Sequence, residues 1–145
     1  MSPAIAILGA GPSGLALGRL LDLAGIDFLI FERDASSKSA WGRGGSGTLD
    51  LHEGSGLLAL EKAGLLGHFK SIARYDAPMV FADMHSKILV RQAEGGETDR
   101  PEIDRKDLRV ILLGVVPKIK IRWDAKVQRV EKEADGIVTI HFAKG

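Results

Sequence analysis

With 145 residues, 45% hydrophobic and 27% charged, the chain fits one globular domain with a moderate core, expected to span residues 1–145. A formal net charge of +1 with no basic run gives no argument for nucleic acid or a membrane surface as a partner. The absence of cysteine excludes a disulfide framework, thiolate chemistry and a cysteine metal site, and a reducing, cytoplasmic location is expected.

The start, Met1 to Leu8, lacks a basic leader, and its apolar run Ala4-Ile5-Ala6-Ile7-Leu8 leads straight into a glycine turn. It reads as a first strand rather than a signal peptide. Between Ile5 and Phe31, the charges of Arg19, Asp22 and Asp27 interrupt the hydrophobicity, so no membrane span is expected. The turn itself is Gly9-Ala10-Gly11-Pro12-Ser13-Gly14, followed by a helical pattern from Leu15 to about Ala24 and a second apolar run, Phe28 to Phe31, ending on Glu32. Strand, glycine turn, helix, strand and acid is the order that holds the ADP half of a dinucleotide. Gly9 permits the tight turn, Gly11 lets a pyrophosphate approach the backbone, and Gly14 lets the helix lie close to the sheet. Pro12 suits the first helical position, where its missing N–H costs nothing. The free amides around Pro12 and Ser13, with the positive end of the helix dipole, face the phosphates. Glu32, eighteen residues past Gly14, is placed to accept hydrogen bonds from a ribose hydroxyl, and its charge disfavours NADP. This stretch leaves FAD and NAD open.

The first helix offers Leu15, Leu17, Leu20, Leu21 and Leu23 to the sheet, with Gly18 placed for close packing and Gly25 as its stop. Ala35 to Gly47 reads as a polar loop carrying Trp41 and Arg43. Thr48 to Leu51 alternates as a short strand, Glu53 to Ala63 reads as a helix stopped by Gly64, and Leu65 to Ile72 as a second helical piece. Met79 to Met84 and Lys87 to Gln92 read as strands joined at His85-Ser86, with a loop from Glu94 to Thr98. Asp104 is expected to cap a helix, with Asp107 at its third position and Ile103 stapled onto Leu108. Arg105 and Arg109 fall on one face of that helix, and alone they read as a solvated cationic face. The final third is expected to form a three-stranded antiparallel meander: Ile119 to Trp123, Val127 to Glu133, and Ile137 to Phe142 after an Asp135-Gly136 turn. The four histidines show no ligand spacing, and no Ser/His/Asp set or carboxylate pair stands out, so no catalytic or metal-ligating residue is assigned.

Five stretches together resemble the FAD-dependent hydroxylases of the p-hydroxybenzoate hydroxylase fold, most of all the tetracycline-inactivating flavin monooxygenases. They are Gly-Ala-Gly-Pro-Ser-Gly-Leu at 9–15, Phe-Glu-Arg at 31–33, Gly-Thr-Leu-Asp-Leu-His-Glu-Gly-Ser-Gly at 47–56, Glu-Ile-Asp-Arg-Lys-Asp-Leu-Arg at 102–109 and Ile-Arg-Trp-Asp at 121–124. The resemblance tips the cofactor from NAD to FAD, with NAD(P)H and O₂ as co-substrates and a small aromatic or polyketide-like substrate. It implies an α/β, Rossmann-like FAD-binding βαβ fold, incomplete relative to the full family fold. Gly9, Gly11 and Gly14 would line the pyrophosphate and Glu32 would take the adenosine ribose, with Arg33 on the adenine side. Asp50 would lie near the flavin ring, Arg105 or Arg109 would reach the pyrophosphate or ribityl chain, and the backbone of Val127 would meet the adenine. Family members continue well beyond this length, into a substrate-binding sheet and a C-terminal helix. A complementary C-terminal chain or a homo-oligomer is therefore expected. A non-catalytic partner-binding module and an NAD-binding dehydrogenase domain are the alternatives.

Overall fold

The computed structural model describes residues 5–38, 47–75, 80–91 and 101–143. In chain order its elements are β1 (Ile5–Leu8), α1 (Pro12–Leu23), β2 (Phe28–Phe31), β3 (Thr48–Asp50), α2 (Leu58–Lys62), α3 (Leu66–Ile72), β4 (Val80–Ala82), β5 (Ile88–Arg91), β6 (Glu102–Asp104), α4 (Arg105–Leu113), β7 (Ile121–Arg122), β8 (Val127–Lys132) and β9 (Val138–Phe142). They belong to two compact units: Met1–Ser46 with Arg105–Gly145, and Gly47–Asp104.

The first unit is built on a parallel sheet in the order β1-β2-β7. β1 runs beside β2 with Ile5 opposite Phe28 and Leu8 opposite Phe31, and β2 runs beside β7 with Ile30 opposite Ile121. Phe28 and Ile30 on the central strand are fully buried, as an apolar run in the middle of a parallel sheet must be. α1 lies on this sheet through a narrow stripe, Leu15, Gly18 and Leu21, spaced one turn apart. Gly18 sets the approach: a Cβ there would sit 2.9 Å from Ile30 Cδ1 and 3.0 Å from Phe28 Cε2. Leu17 and Leu23, expected on the same face, remain about half exposed, because they project to either side of that stripe. The helix ends in a Schellman motif. Gly25, at φ +69°, donates its N–H to Asp22, and Ile26 donates to Leu21. α4 supplies Leu108, Ile111 and Leu112 to the core of the same unit and packs against α1.

The expected three-stranded antiparallel meander is not what forms. Of the three expected strands, the last two, β8 and β9, pair antiparallel as a hairpin turning at Asp135-Gly136, with Gly136 at φ +88°. The third expected strand is divided. Lys118–Lys120 is a tight 3-10 turn that leaves Ile119 exposed, and Ile121–Arg122 joins the parallel sheet beside β2. The alternation of Ile119, Ile121 and Trp123 mimicked a strand, but Ile121 is the member of that run that reaches the core. A parallel neighbour of β2 must arrive by a crossover, and α4 is the helix that precedes it.

The second unit contains two antiparallel pairs, β3 with β6 and β4 with β5. β6 is a strand that periodicity did not reveal, since Glu102-Ile103-Asp104 is three residues long and runs directly into the helix start. The expected helix from Glu53 begins with a wide π-type turn, Glu53–Leu57, before α2. Gly56 permits it, for a Cβ there would fall 2.7 Å from Leu51 Cδ2. Leu60, Ala63, Leu65 and Phe69 are buried, as is Ile103. The β4–β5 turn is held by Asp83, whose carboxylate accepts the N–H groups of His85 and Lys87 while Ser86 takes φ +64°. Trp41, Arg43, Met79, Gln92 and the expected loop at Glu94 to Thr98 lie outside the described residues. Among the described residues no helix is long and apolar enough to cross a membrane.

The narrow stripe on α1 gives a direct comparison between neighbouring leucines. Leu15→Ala should lower unfolding free energy in urea by about 2–5 kcal/mol, whereas Leu17→Ala should cost about 1 kcal/mol or less. Equal losses would mean that the stripe is wrongly placed.

Candidate functional site

The turn between β1 and α1 begins by extending the sheet. The Gly9 N–H donates to the Phe31 carbonyl at 2.8 Å, and Gly9 then takes φ +107°, which a side chain would oppose. Gly11 is the cap of α1 in an ordinary extended conformation (φ −77°, ψ 175°), and no side chain caps this helix end. The amides of the first helical turn therefore have no partner within the helix, and the dipole adds partial positive charge there. A Cβ on Gly11 would meet nothing within 4 Å, so this side of the turn is open.

Beneath the turn lies a cluster of charge. Glu32 follows β2 and is 7% exposed. One of its oxygens accepts the Ala10 N–H at 2.6 Å and the other accepts the Asp34 N–H at 3.0 Å. Arg109 reaches in from α4. Its Nε donates to the Ala10 carbonyl at 2.7 Å, one terminal nitrogen lies 3.7 Å from Glu32 and the other 3.6 Å from Asp34. The guanidinium also lies over Trp123, 5.9 Å from the ring centroid. Buried charges need such partners, and here one cation offsets part of the charge of two acids while each group finds hydrogen bonds or close opposite charge.

The Ala10 N–H points inward to Glu32, so the Gly9 carbonyl of the same trans peptide points the opposite way, over the start of α1. Gly14 occupies that spot. A Cβ on Gly14 would be 2.1 Å from the Gly9 oxygen, a backbone atom that cannot rotate aside.

The segment after β7 is laced to the segment after β2. Glu32 donates its N–H to Arg122 at 2.8 Å, Ala125 donates to the Glu32 carbonyl at 2.8 Å, and Asp124, at φ +56°, donates to Asp34 at 2.9 Å. Val127, the first residue of β8, is half-buried opposite Phe142, and the Phe142 ring packs 5.1 Å from that of Phe31.

The structure thus brings together Gly9, Gly11, Pro12, Gly14, Glu32 and Arg109, with Ser13 exposed in the first turn of α1. Of the two helical arginines, Arg109 joins the cluster and Arg105 is exposed at the first position of α4. Arg33 is exposed beside Glu32, and Asp50 is exposed at the end of β3 in the other unit. Ala10, Asp34 and Trp123 are site residues that sequence reasoning passed over. Asp34 carried a readable signal, an acid two residues after Glu32, and Trp123 stood in the Ile-Arg-Trp-Asp stretch. Ala10 carried none, because both of its contacts are made by its backbone.

The family described as FAD binding domain matches residues 2–137. Over 126 residues the chain is 36% identical to the monooxygenase penA of Penicillium thymicola, covering 85% of this chain and 28% of that protein. The chain therefore spans about a quarter of the length of that relative. The solved structure of tetracycline destructase Tet(55) aligns with a TM-score of 0.69 at 23% identity, over 97% of this chain and 34% of that one. The structure of Klebsiella pneumoniae HpxO complexed with FAD and uric acid aligns with a TM-score of 0.68 at 18% identity, over 97% and 35%. At these identities the two structures speak for the fold.

Two substitutions test the construction of the turn. Gly14→Ala should destabilise the first unit by about 1–3 kcal/mol or more despite the better helix propensity of alanine, read from thermal or urea unfolding. Glu32→Ala should also cost stability, about 1–3 kcal/mol, because it leaves the buried Ala10 amide without its acceptor.

Proposed function

This chain belongs to the FAD-binding domain family, and from that premise we propose that it holds the ADP half of FAD as the cofactor-binding part of a flavin-dependent monooxygenase. The observation that carries this reading is the open, uncapped start of α1 beside Gly11, directly above a buried carboxylate. Such a helix end receives a diphosphate through backbone N–H groups and the helix dipole. The residues present fit the group: Gly11 leaves its approach clear, Gly9 and Gly14 shape the turn, and Pro12 and Ser13 open the helix. Glu32 retains lone pairs beyond the two amides that it accepts and is the acceptor for the adenosine ribose. Exposed Arg33 takes the adenine side, and the backbone at Val127 meets the adenine. Arg105, exposed at the start of α4, reaches the pyrophosphate or ribityl chain, since the guanidinium of Arg109 is already engaged. Asp50 lies near the flavin ring in this reading.

Bound FAD would supply the redox chemistry for a hydroxylation that uses NAD(P)H and O₂. The residues of this chain bind and orient. They carry no acid, base or nucleophile assigned to the reaction. The substrate pocket, and a further chain or copy completing it, belong to the same proposal.

Gly11→Val separates binding from folding. Its Cβ meets no protein atom and its φ and ψ suit an L-residue, so the thermal midpoint should change little. The branched side chain stands in the path of the diphosphate, so FAD binding, followed by flavin absorbance and fluorescence quenching, should fall at least about 100-fold, the equivalent of about 2.7 kcal/mol. Undiminished FAD binding by this variant, or tighter binding of NAD than FAD by the wild type, would overturn the proposal.

A further inference from the structure

We propose that Arg109 is a positioning residue that aims the Gly11 amide at the diphosphate of the bound nucleotide. The inference rests on the reading of this turn as an ADP site.

A trans peptide holds its C=O and N–H in opposite directions, and the described chain contains no cis bond. The carbonyl of Ala10 and the N–H of Gly11 share one such peptide. Arg109 Nε takes that carbonyl at 2.7 Å from the buried side. The Gly11 N–H is therefore turned away from Arg109, and Gly11 itself is uncrowded, since a Cβ there would meet nothing within 4 Å. The preceding peptide is fixed in the same way, because Glu32 takes the Ala10 N–H at 2.6 Å. Ala10, with no exposed surface, is thus gripped at both of its peptides by one ion pair.

Without Arg109 the Ala10 carbonyl has no fixed donor. The Ala10–Gly11 peptide can then rotate, and glycine on its far side opposes that rotation less than any other residue would. Rotation would turn a carbonyl oxygen, rather than an N–H, toward the phosphates. Arg109 itself touches no ligand in this account. Its geometry is held by Asp34 on one terminal nitrogen and by the face of Trp123. Lysine cannot replace it, because a single ammonium cannot donate to the carbonyl through a side-on Nε while also lying between two carboxylates.

The test compares ADP with adenosine, which shares the base and ribose but lacks the diphosphate, by calorimetry on the full chain and on Arg109→Met, Arg109→Lys and Asp34→Asn. In the wild type ADP should bind at least about tenfold more tightly than adenosine, the scale of one charge-assisted hydrogen bond. In Arg109→Met and Arg109→Lys that advantage should shrink to about threefold or less, while adenosine affinity falls by a smaller factor. Asp34→Asn, which leaves both Ala10 contacts in place but slackens one support of the guanidinium, should reduce the advantage in the same direction by a smaller factor. A general loss of stability would weaken both ligands alike, so the ratio distinguishes positioning from folding. An ADP advantage equal to that of the wild type in folded Arg109→Met overturns the inference. Should that variant not fold, an unchanged ratio in Asp34→Asn overturns it equally. A wild type that binds neither ADP nor FAD instead removes the reading of the site on which it rests.

Discussion

The structure depends on how one alanine is held. Ala10 has a side chain of a single methyl group, yet its N–H is bound by Glu32 and its carbonyl by Arg109. Both partners are largely buried, and an unmade hydrogen bond there is costly, so the two peptides around Ala10 have little freedom. From that constraint follow the direction of the Gly9 carbonyl and the demand for a glycine at position 14. The glycines permit the turn. The ion pair selects it from among the shapes that glycine allows.

This arrangement changes the meaning of Glu32. An acid at the end of the second strand reads, on spacing alone, as a group waiting for a ribose. In the folded chain it is already working, accepting two backbone amides and balancing a guanidinium. In the proposed site one carboxylate would both receive a sugar and shape the turn, so a change at Glu32 would disturb both. The same economy appears at Arg109, which joins α4 to the turn while resting on Trp123.

Much of this was legible in the sequence. The first crossover was plain because its signals agree: an apolar run, glycines at fixed offsets, a proline at the first helical position and a glycine stop. The β8–β9 hairpin was legible from Asp135-Gly136. The place of β7 was not, because Ile119, Ile121 and Trp123 alternate as an antiparallel strand would, and only tertiary packing buries one and exposes another. β6 was hidden by its length, and the face of α1 was drawn too wide because leucine is apolar on whichever side it falls. At the site, the glycines and Glu32 were readable as residue types. The choice between Arg105 and Arg109 was not, since both lie on one helix and only the packing of α4 against α1 decides which points inward. Ala10 was invisible because nothing about an alanine announces the two backbone contacts it makes.

The contact between Arg109 and Ala10 joins residues 99 positions apart. A nascent chain that has emerged only as far as β2 carries every glycine of the turn and the acid beside it, but not the guanidinium that fixes their geometry. The β2–β7 pairing likewise waits for residues near 121. Bringing together residues so far apart in sequence has an entropic cost that must be met before any contact rewards it. The glycines of the first crossover thus precede, by most of the described chain, the guanidinium that completes their hydrogen bonding.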